Sequence, residues 1–356
     1  MNMKIFKTAI LVLLLLFFAS WFYKIIVLML IAKVWKEELC SRKVWGYKAT
    51  IGILLVAMFC VLPRYRYNTS DRVRLIYQNK QGNAELPPLS HYLVNVLLPE
   101  EEICNIGIWC ARLAPKGIPL AGWILDEFRH DDKKGNIGNF YRPFSQLNWS
   151  RNFMMSGTTS QVFNEMGMAH TQSVYLIEPR DYDKDKQYPV VFFMHGYLGN
   201  WKLYTGILKD LDECIVLCVG TSDLSGIFTQ KDIRSLFSRQ IPFLKNMGYK
   251  VDAGNIHLIG LSNGGSASNV AYNGFSNKFK TITFVSTGIH QTHPIRSKVL
   301  LIGGGKDRSS GSLPGAHRRL KANGTKTDLF WEKDETHFIL VNKREEIIKF
   351  LNKNIQ

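Results

Sequence analysis

Hydrophobic and polar positions divide the chain into three stretches. In the first, apolar runs cover residues 8–23, 25–32 and 49–62, interrupted by Lys24 and by a basic segment holding Lys33, Lys36, Arg42, Lys43 and Lys48. A helix needs about 20 apolar residues to cross a bilayer core, which the first two runs supply together if Lys24 snorkels to an interface. The third run is short for a span, but Trp45 and Tyr47 before it suit a membrane interface and Pro63 stops it. The pattern predicts a transmembrane helical hairpin, an anchor of residues 1–63. A cleaved leader ending near Ala19-Ser20 is the rival reading, and the apolar run continues past that point. Basic residues before, between and after the runs balance one another, so the positive-inside rule does not choose a side for the rest of the chain.

The second stretch, residues 64–151, is a connector with a helical pattern from Ser90 through Leu113. An apolar cluster of Ile118, Leu120, Trp123, Ile124, Leu125 and Phe128 follows, then polar residues from Arg129 to Gly138. Packing on the core as a small helical layer is its expected role. A flap over the core's site, or an element dipping into lipid, is the functional alternative.

In the third stretch, residues 152–356, the period shortens and strands alternate with helices. Segments 153–163 and 173–177 predict a pair of antiparallel edge strands. The dense Val and Phe run between Pro189 and Gly196 predicts a strand covered on both faces. A helix over 200–211, a strand over 214–219 and a helix over 232–247 follow, the last striped by Ile233, Leu236, Phe237, Ile241 and Leu244 and kinked or split at Pro242. Further strands are expected at 256–259, 280–286, 299–302 and 327–331, then a final helix with Ile347, Ile348 and Leu351 inward. Such alternation predicts an α/β fold: a mostly parallel twisted sheet with right-handed crossovers and helices on both faces.

The candidate chemistry centres on Gly260-Leu-Ser262-Asn-Gly264-Gly265, between a predicted strand and a predicted helix. A serine on so sharp a corner needs tiny neighbours two positions away on either side, and it lifts its hydroxyl above the sheet. The backbone N–H of Asn263 then points where an attacked carbonyl gathers negative charge, and the N–H of Tyr197, after His195-Gly196, can join it. A serine hydroxyl needs a histidine to take its proton and a carboxylate to orient that histidine. In chain order these come after the serine. Asp307, in Gly303-Gly-Gly-Lys-Asp307, follows one strand, and His337, in Asp334-Glu-Thr-His337, follows the last. His290 and His293 precede the acid, His317 belongs to a basic helical stretch, and Asp334 and Glu335 are too near His337 to serve it easily. For His195 the expected role is structural, propping its own loop. An exposed Asp307 paired with Arg308 is the plain alternative for that acid.

His195-Gly196, the Gly260–Gly265 corner, Asp307 and His337, in this order, resemble the α/β-hydrolase superfamily. With Tyr175-Leu-Ile-Glu-Pro179 and the strand ending His195-Gly196, they are similar to its esterase and polyhydroxyalkanoate-depolymerase-like branch. The likeness covers residues 173–356. It implies an α/β-hydrolase fold and a Ser-His-Asp hydrolase acting on an ester-like bond through an acyl-enzyme, with no metal and no organic cofactor; the expected membrane anchor makes an acyl or lipid-like ester the expected substrate. The segment between Ser286 and Lys298 is too short for the large cap some members carry, so any lid has to come from the connector. A serine peptidase or amidase of the same fold, suggested by the doubled glycine after the serine, and a catalytically silent membrane scaffold are the alternatives.

Composition changes this picture little. With 356 residues and 46% hydrophobic content, one large core plus an appendage is possible, and no internal repeat or low-complexity tract appears. A net charge of +16 is spread among acids and matches no nucleic-acid motif, so membrane lipids are the expected anionic partner. Of six cysteines, Cys40 and Cys60 flank or enter the predicted anchor, and Cys214 and Cys218 lie too far apart along one strand to bridge. Cys104 and Cys110 can pair only if their segment is not helical, and free thiols are expected. Composition is silent on oligomeric state.

Overall fold

The computed structural model describes residues 3–17, 26–31, 33, 72–85, 100–113, 122–146, 157–158, 172–221 and 225–355. Of the first apolar run it describes helix α1, Met3–Phe17. Among the described residues no helix is long and apolar enough to cross a membrane. The run at 49–62, and with it most of the expected hairpin, lies outside the described residues.

Nine strands form one sheet in the order β2-β1-β3-β5-β4-β6-β7-β8-β9. In chain order they are β1 Val73–Gln78, β2 Ala84–Glu85, β3 Gln172–Ile177, β4 Tyr188–Met194, β5 Ile215–Val219, β6 Val251–Leu261, β7 Thr281–Val285, β8 Lys298–Gly304 and β9 Thr327–Glu332. From β5 through β9 every neighbouring pair is parallel, while β1, β2 and β3 add an antiparallel edge. Strand β3 is antiparallel to both its neighbours, β1, paired from Val73↔Ile177 to Gln78↔Gln172, and β5; of segment 153–163, the partner the sequence suggested, all but residues 157–158 lie outside the described residues. The sheet thus begins inside the stretch expected to be a connector.

Alternate residues of the central strands serve two helical layers, which is why these strands read as unbroken apolar runs. Val190, Phe192, Leu258, Phe284 and Leu301 face helices α6 (Gln230–Ser235), α7 (Ile241–Asn246), α8 (Gly265–Gly274) and α9 (Leu313–Ala322), through Ile233, Leu244, Ala267, Ala271 and Leu320. Val191, Phe193, Ile259, Val285 and Ile302 face the other layer, which includes Phe140, Phe144, Leu203, Ile207, Ile347 and Leu351. Between α6 and α7 one π turn, Leu236–Gln240, absorbs Pro242, which has no N–H to donate.

The second layer draws on the connector. Helices α2 (Glu100–Leu113), α3 (Gly122–Lys133) and α4 (Gly138–Ser145) precede β3 in the chain, and α5 (Lys202–Leu208) and α11 (Arg344–Ile355) come later, after the short α10 (Ile339–Asn342). The polar residues from Arg129 onward continue α3 to Lys133. Glu100 closes one junction: its carboxylate accepts the backbone N–H groups of Lys202 and Leu203 at the start of α5. Because α2 is helical, Cys104 and Cys110 stay apart, and they are free thiols, as are Cys214 and Cys218. Burial pushes the Cys214 thiol up to about 12, so it is inert.

Candidate active site

The parallel register brings several strand ends to one rim. Met194 pairs with Gly260, Leu261 with Val285, and Val285 with Ile302, so the segments leaving β4, β6 and β8 emerge side by side, with β9 next to β8. In an open α/β sheet this carboxyl edge is where ligands gather.

Ser262 follows β6 directly and opens a 3-10 turn, Ser262–Gly264, that runs into α8. Its φ is 53°, a left-handed conformation that costs a side-chain-bearing residue about 1–3 kcal/mol and persists only where strand and helix impose it. The flanking glycines are steric requirements. A Cβ on Gly260 would run into the Gly264 carbonyl and Ser268 Oγ, and one on Gly264 into the carbonyls of Met194 and His195. Gly196 lies so close that a Cβ there would sit 3.1 Å from that of Ser262.

His337 is carried on the loop between β9 and α10. Its Nε2 is 2.8 Å from Ser262 Oγ, and its Nδ1 is 3.1 Å from Asp307 Oδ1. Asp307 is 2% exposed, so it is not the solvated partner of Arg308 that its sequence also allowed. A buried carboxylate only accepts, so the Nδ1 proton points at Asp307 and the Nε2 lone pair faces the serine hydroxyl. Ser309, which the sequence did not single out, donates to Asp307 Oδ1 at 2.5 Å and lies 2.9 Å from Nδ1. Burial works to raise the Asp307 pKa, but the bond and attraction to His337, with the bond from Ser309, hold it below the usual carboxylate value. Asp334 and Glu335 take no part: Glu335 is bonded to Lys134 and Asn342 instead.

The loop after β4 supplies the facing wall. His195 is fully buried, with Nδ1 2.7 Å from the Gly196 carbonyl, while its Nε2 accepts the N–H of Thr221 at 3.0 Å. Both ring nitrogens are thereby committed, the structural role its sequence position suggested. Gly226, at φ 68°, stands against the Gly196 carbonyl, and the Asn263 side chain donates to the Ser225 carbonyl at 2.6 Å. The backbones of Tyr197 and Asn263 therefore belong to segments that flank Ser262 on two sides.

A third wall comes from α3. The Trp123 ring meets the His337 imidazole edge-on, centroids 5.1 Å apart and planes at 87°. Glu127 accepts the His337 backbone N–H at 2.6 Å, and Asp131 accepts from Thr336 Oγ1 and Asn342 Nδ2, both at 3.1 Å. The connector thus packs as a helical layer and also borders the site. No sequence signal marks Glu127 or Ser309, while Trp123 was visible only as one member of an apolar cluster. Glu127, Asp307 and His337 each offer an atom within 4.8 Å of the others.

No family model and no curated protein matches the chain. Solved structures it is similar to include a thermostable esterase at 17% identity, aligned over 52% of this chain and 60% of that one with a TM-score of 0.42. A ferulic acid esterase from Anaeromyces mucronatus is 18% identical over 52% of this chain and 86% of that one, with a TM-score of 0.40. An acylaminoacyl peptidase of Pyrococcus horikoshii is 14% identical over 52% and 40%, with a TM-score of 0.40. These superpositions are too loose to add to what strand order and side-chain geometry show.

Proposed function

We propose that the protein is a serine hydrolase of the α/β-hydrolase type that cleaves an acyl or lipid-like ester. The observation that carries the reading is the continuous hydrogen-bonded line from Ser262 Oγ through His337 to Asp307 at the carboxyl edge of the sheet. His337 Nε2 takes the hydroxyl proton as Ser262 attacks the ester carbonyl, and Asp307 stabilises the imidazolium. The N–H groups of Tyr197 and Asn263 receive the charge that develops on the carbonyl oxygen. Collapse of this tetrahedral species expels the alcohol, which takes the proton from His337. Water, activated by the same imidazole, then releases the acid and regenerates the serine.

Fluorophosphonate labelling tests the central assignment: the wild type is labelled at Ser262 and Ser262→Ala is not. Labelling that survives the substitution removes it, and a folded wild type that takes no probe supports a silent scaffold instead. The same machinery hydrolyses amides, and the doubled glycine Gly264-Gly265 keeps the peptidase reading open. Matched ester and amide substrates of one acyl group separate the two. Membrane attachment rests on the apolar runs at 8–32 and 49–62 with their aromatic and basic flanks. It predicts that the full chain stays in the membrane pellet after alkaline carbonate extraction, and release into the supernatant refutes it.

A further inference from the structure

Among the described residues from 172 to 355, the large apolar side chains that stand exposed are Tyr197 at 56%, Leu198 at 40% and Ile227 at 53%. One exposed leucine means little, but apolar side chains gathered at one place mark a binding surface. All three belong to the two loops beside Ser262. Tyr197 and Leu198 follow Gly196, where a Cβ would sit 3.1 Å from that of Ser262. Ile227 follows Gly226, which stands against the Gly196 carbonyl. Its segment is pinned to the serine corner: Asn263 Nδ2 donates to the Ser225 carbonyl, and the Phe228 N–H donates to Ser266 Oγ at 2.7 Å. Phe228 itself is buried against the His195 ring, centroids 5.2 Å apart, so Ile227 is held outward on an anchored loop. Leu198 carries a second mark. Its φ is 65°, in the left-handed region that suits glycine or asparagine, so the chain keeps a leucine on a strained backbone with its side chain toward water. Stability and solubility both favour a different residue there.

We propose that Tyr197, Leu198 and Ile227 form the seat of the substrate's acyl chain, and that this chain is an extended aliphatic one. The proposal rests on the serine hydrolase reading above and names the class of ester the site takes. At the tetrahedral carbon the alcohol lies beside His337, which protonates it, so Trp123 borders the alcohol. The oxyanion takes the N–H groups of Tyr197 and Asn263. The acyl chain then points away from the imidazole, across the two loops that carry the apolar side chains. Each methylene that leaves water against such a surface strengthens binding by up to about four-fold.

The test compares labelling of Ser262 by two fluorophosphonates, which carry a two-carbon or an eight-carbon alkyl chain on phosphorus in place of the acyl chain. The proteins are the full-length wild type, Leu198→Asn, Ile227→Ser and the double variant, in one detergent. Asparagine suits the left-handed backbone and serine an exposed loop, so melting temperatures should not fall. The eight-carbon probe should label the wild type at least about ten-fold faster than the two-carbon probe. Each single substitution should lower that ratio about three-fold, and the double substitution about ten-fold. Taking the ratio cancels changes in the reactivity of the serine itself. A double variant with the wild-type ratio, or a wild type that labels no faster with the longer chain, overturns the proposal and leaves the hydrolase reading intact. A wild type that takes neither probe overturns the hydrolase reading and the proposal with it. Should one substitution prevent folding, an unchanged ratio in the other single variant overturns the proposal on its own.

Discussion

The two sides of the site are built by different rules. Ser262 and Asp307 come after the ends of β6 and β8, so their positions follow from strands that are paired on both sides over the residues leading up to those ends. Trp123 and Glu127 arrive from a helix whose bond to His337 spans 210 residues of sequence. On the sheet side geometry is enforced by backbone hydrogen bonds and by glycines that admit nothing larger. On the helix side it depends on docking, through Phe128 against Phe140 and Phe338 and through the polar contacts of Glu127 and Asp131. Damage to the first should abolish chemistry, and damage to the second should loosen or retune it.

The largest effects are therefore expected at the sheet rim. Ser262→Ala should lower turnover of an activated ester by about a thousand-fold or more, and Asp307→Asn by a comparable factor, because the imidazole then loses its fixed tautomer. Both should leave the melting curve nearly intact, and a variant that retains a tenth of wild-type turnover would break the sheet side of the comparison. Gly264→Ala comes next, since its methyl meets the carbonyls of Met194 and His195. It should cost about 2–4 kcal/mol in denaturant unfolding and take activity with it.

On the helix side the numbers shrink. Asp131→Ala leaves Thr336 Oγ1 without its acceptor and Asn342 with Glu335 alone, and should cost about 2 kcal/mol of stability while lowering kcat only a few-fold. The smallest effect is one of pH. Glu127 holds its proton more tightly when folded, so unfolding releases a proton between pH 4.5 and about 7, and this group's contribution to stability falls as pH rises through that window. Urea midpoints should show the wild type losing on the order of 1 kcal/mol relative to Glu127→Gln from the lower to the upper end. A parallel profile in the two proteins would show that the carboxyl is solvated and that α3 is not seated on the histidine loop.

Legibility followed the same division. The succession of strands and helices could be anticipated from β4 onward because alternation of apolar runs with amphipathic helices is a property of neighbouring residues. Gly260, Ser262 and Gly264 were legible for a related reason: strain at a serine corner demands glycines at fixed offsets, and the demand is local. Strand β1 was not legible. Val73–Gln78 carries no turn signal toward its partner, and what ties it to β3 is pairing across the connector, reinforced by Arg74 with Glu178, while Gln78 bonds Gln240 of the π turn. Glu127 carried no mark of its own beside the apolar cluster that ends at Phe128, and only the docking of α3 buries it.

By itself, then, the sequence determined the alternating architecture, the corner at Ser262 and the order in which an acid and a histidine follow it. These rest on periodicity and backbone sterics, which act over a few residues at a time. Only the tertiary structure decided which helix covers the histidine, which carboxylate besides Asp307 stands next to its ring, and where the sheet's edge begins. Those outcomes depend on burial and on partners far apart in the chain, and an isolated side chain carries no mark of how much water folding will take from it.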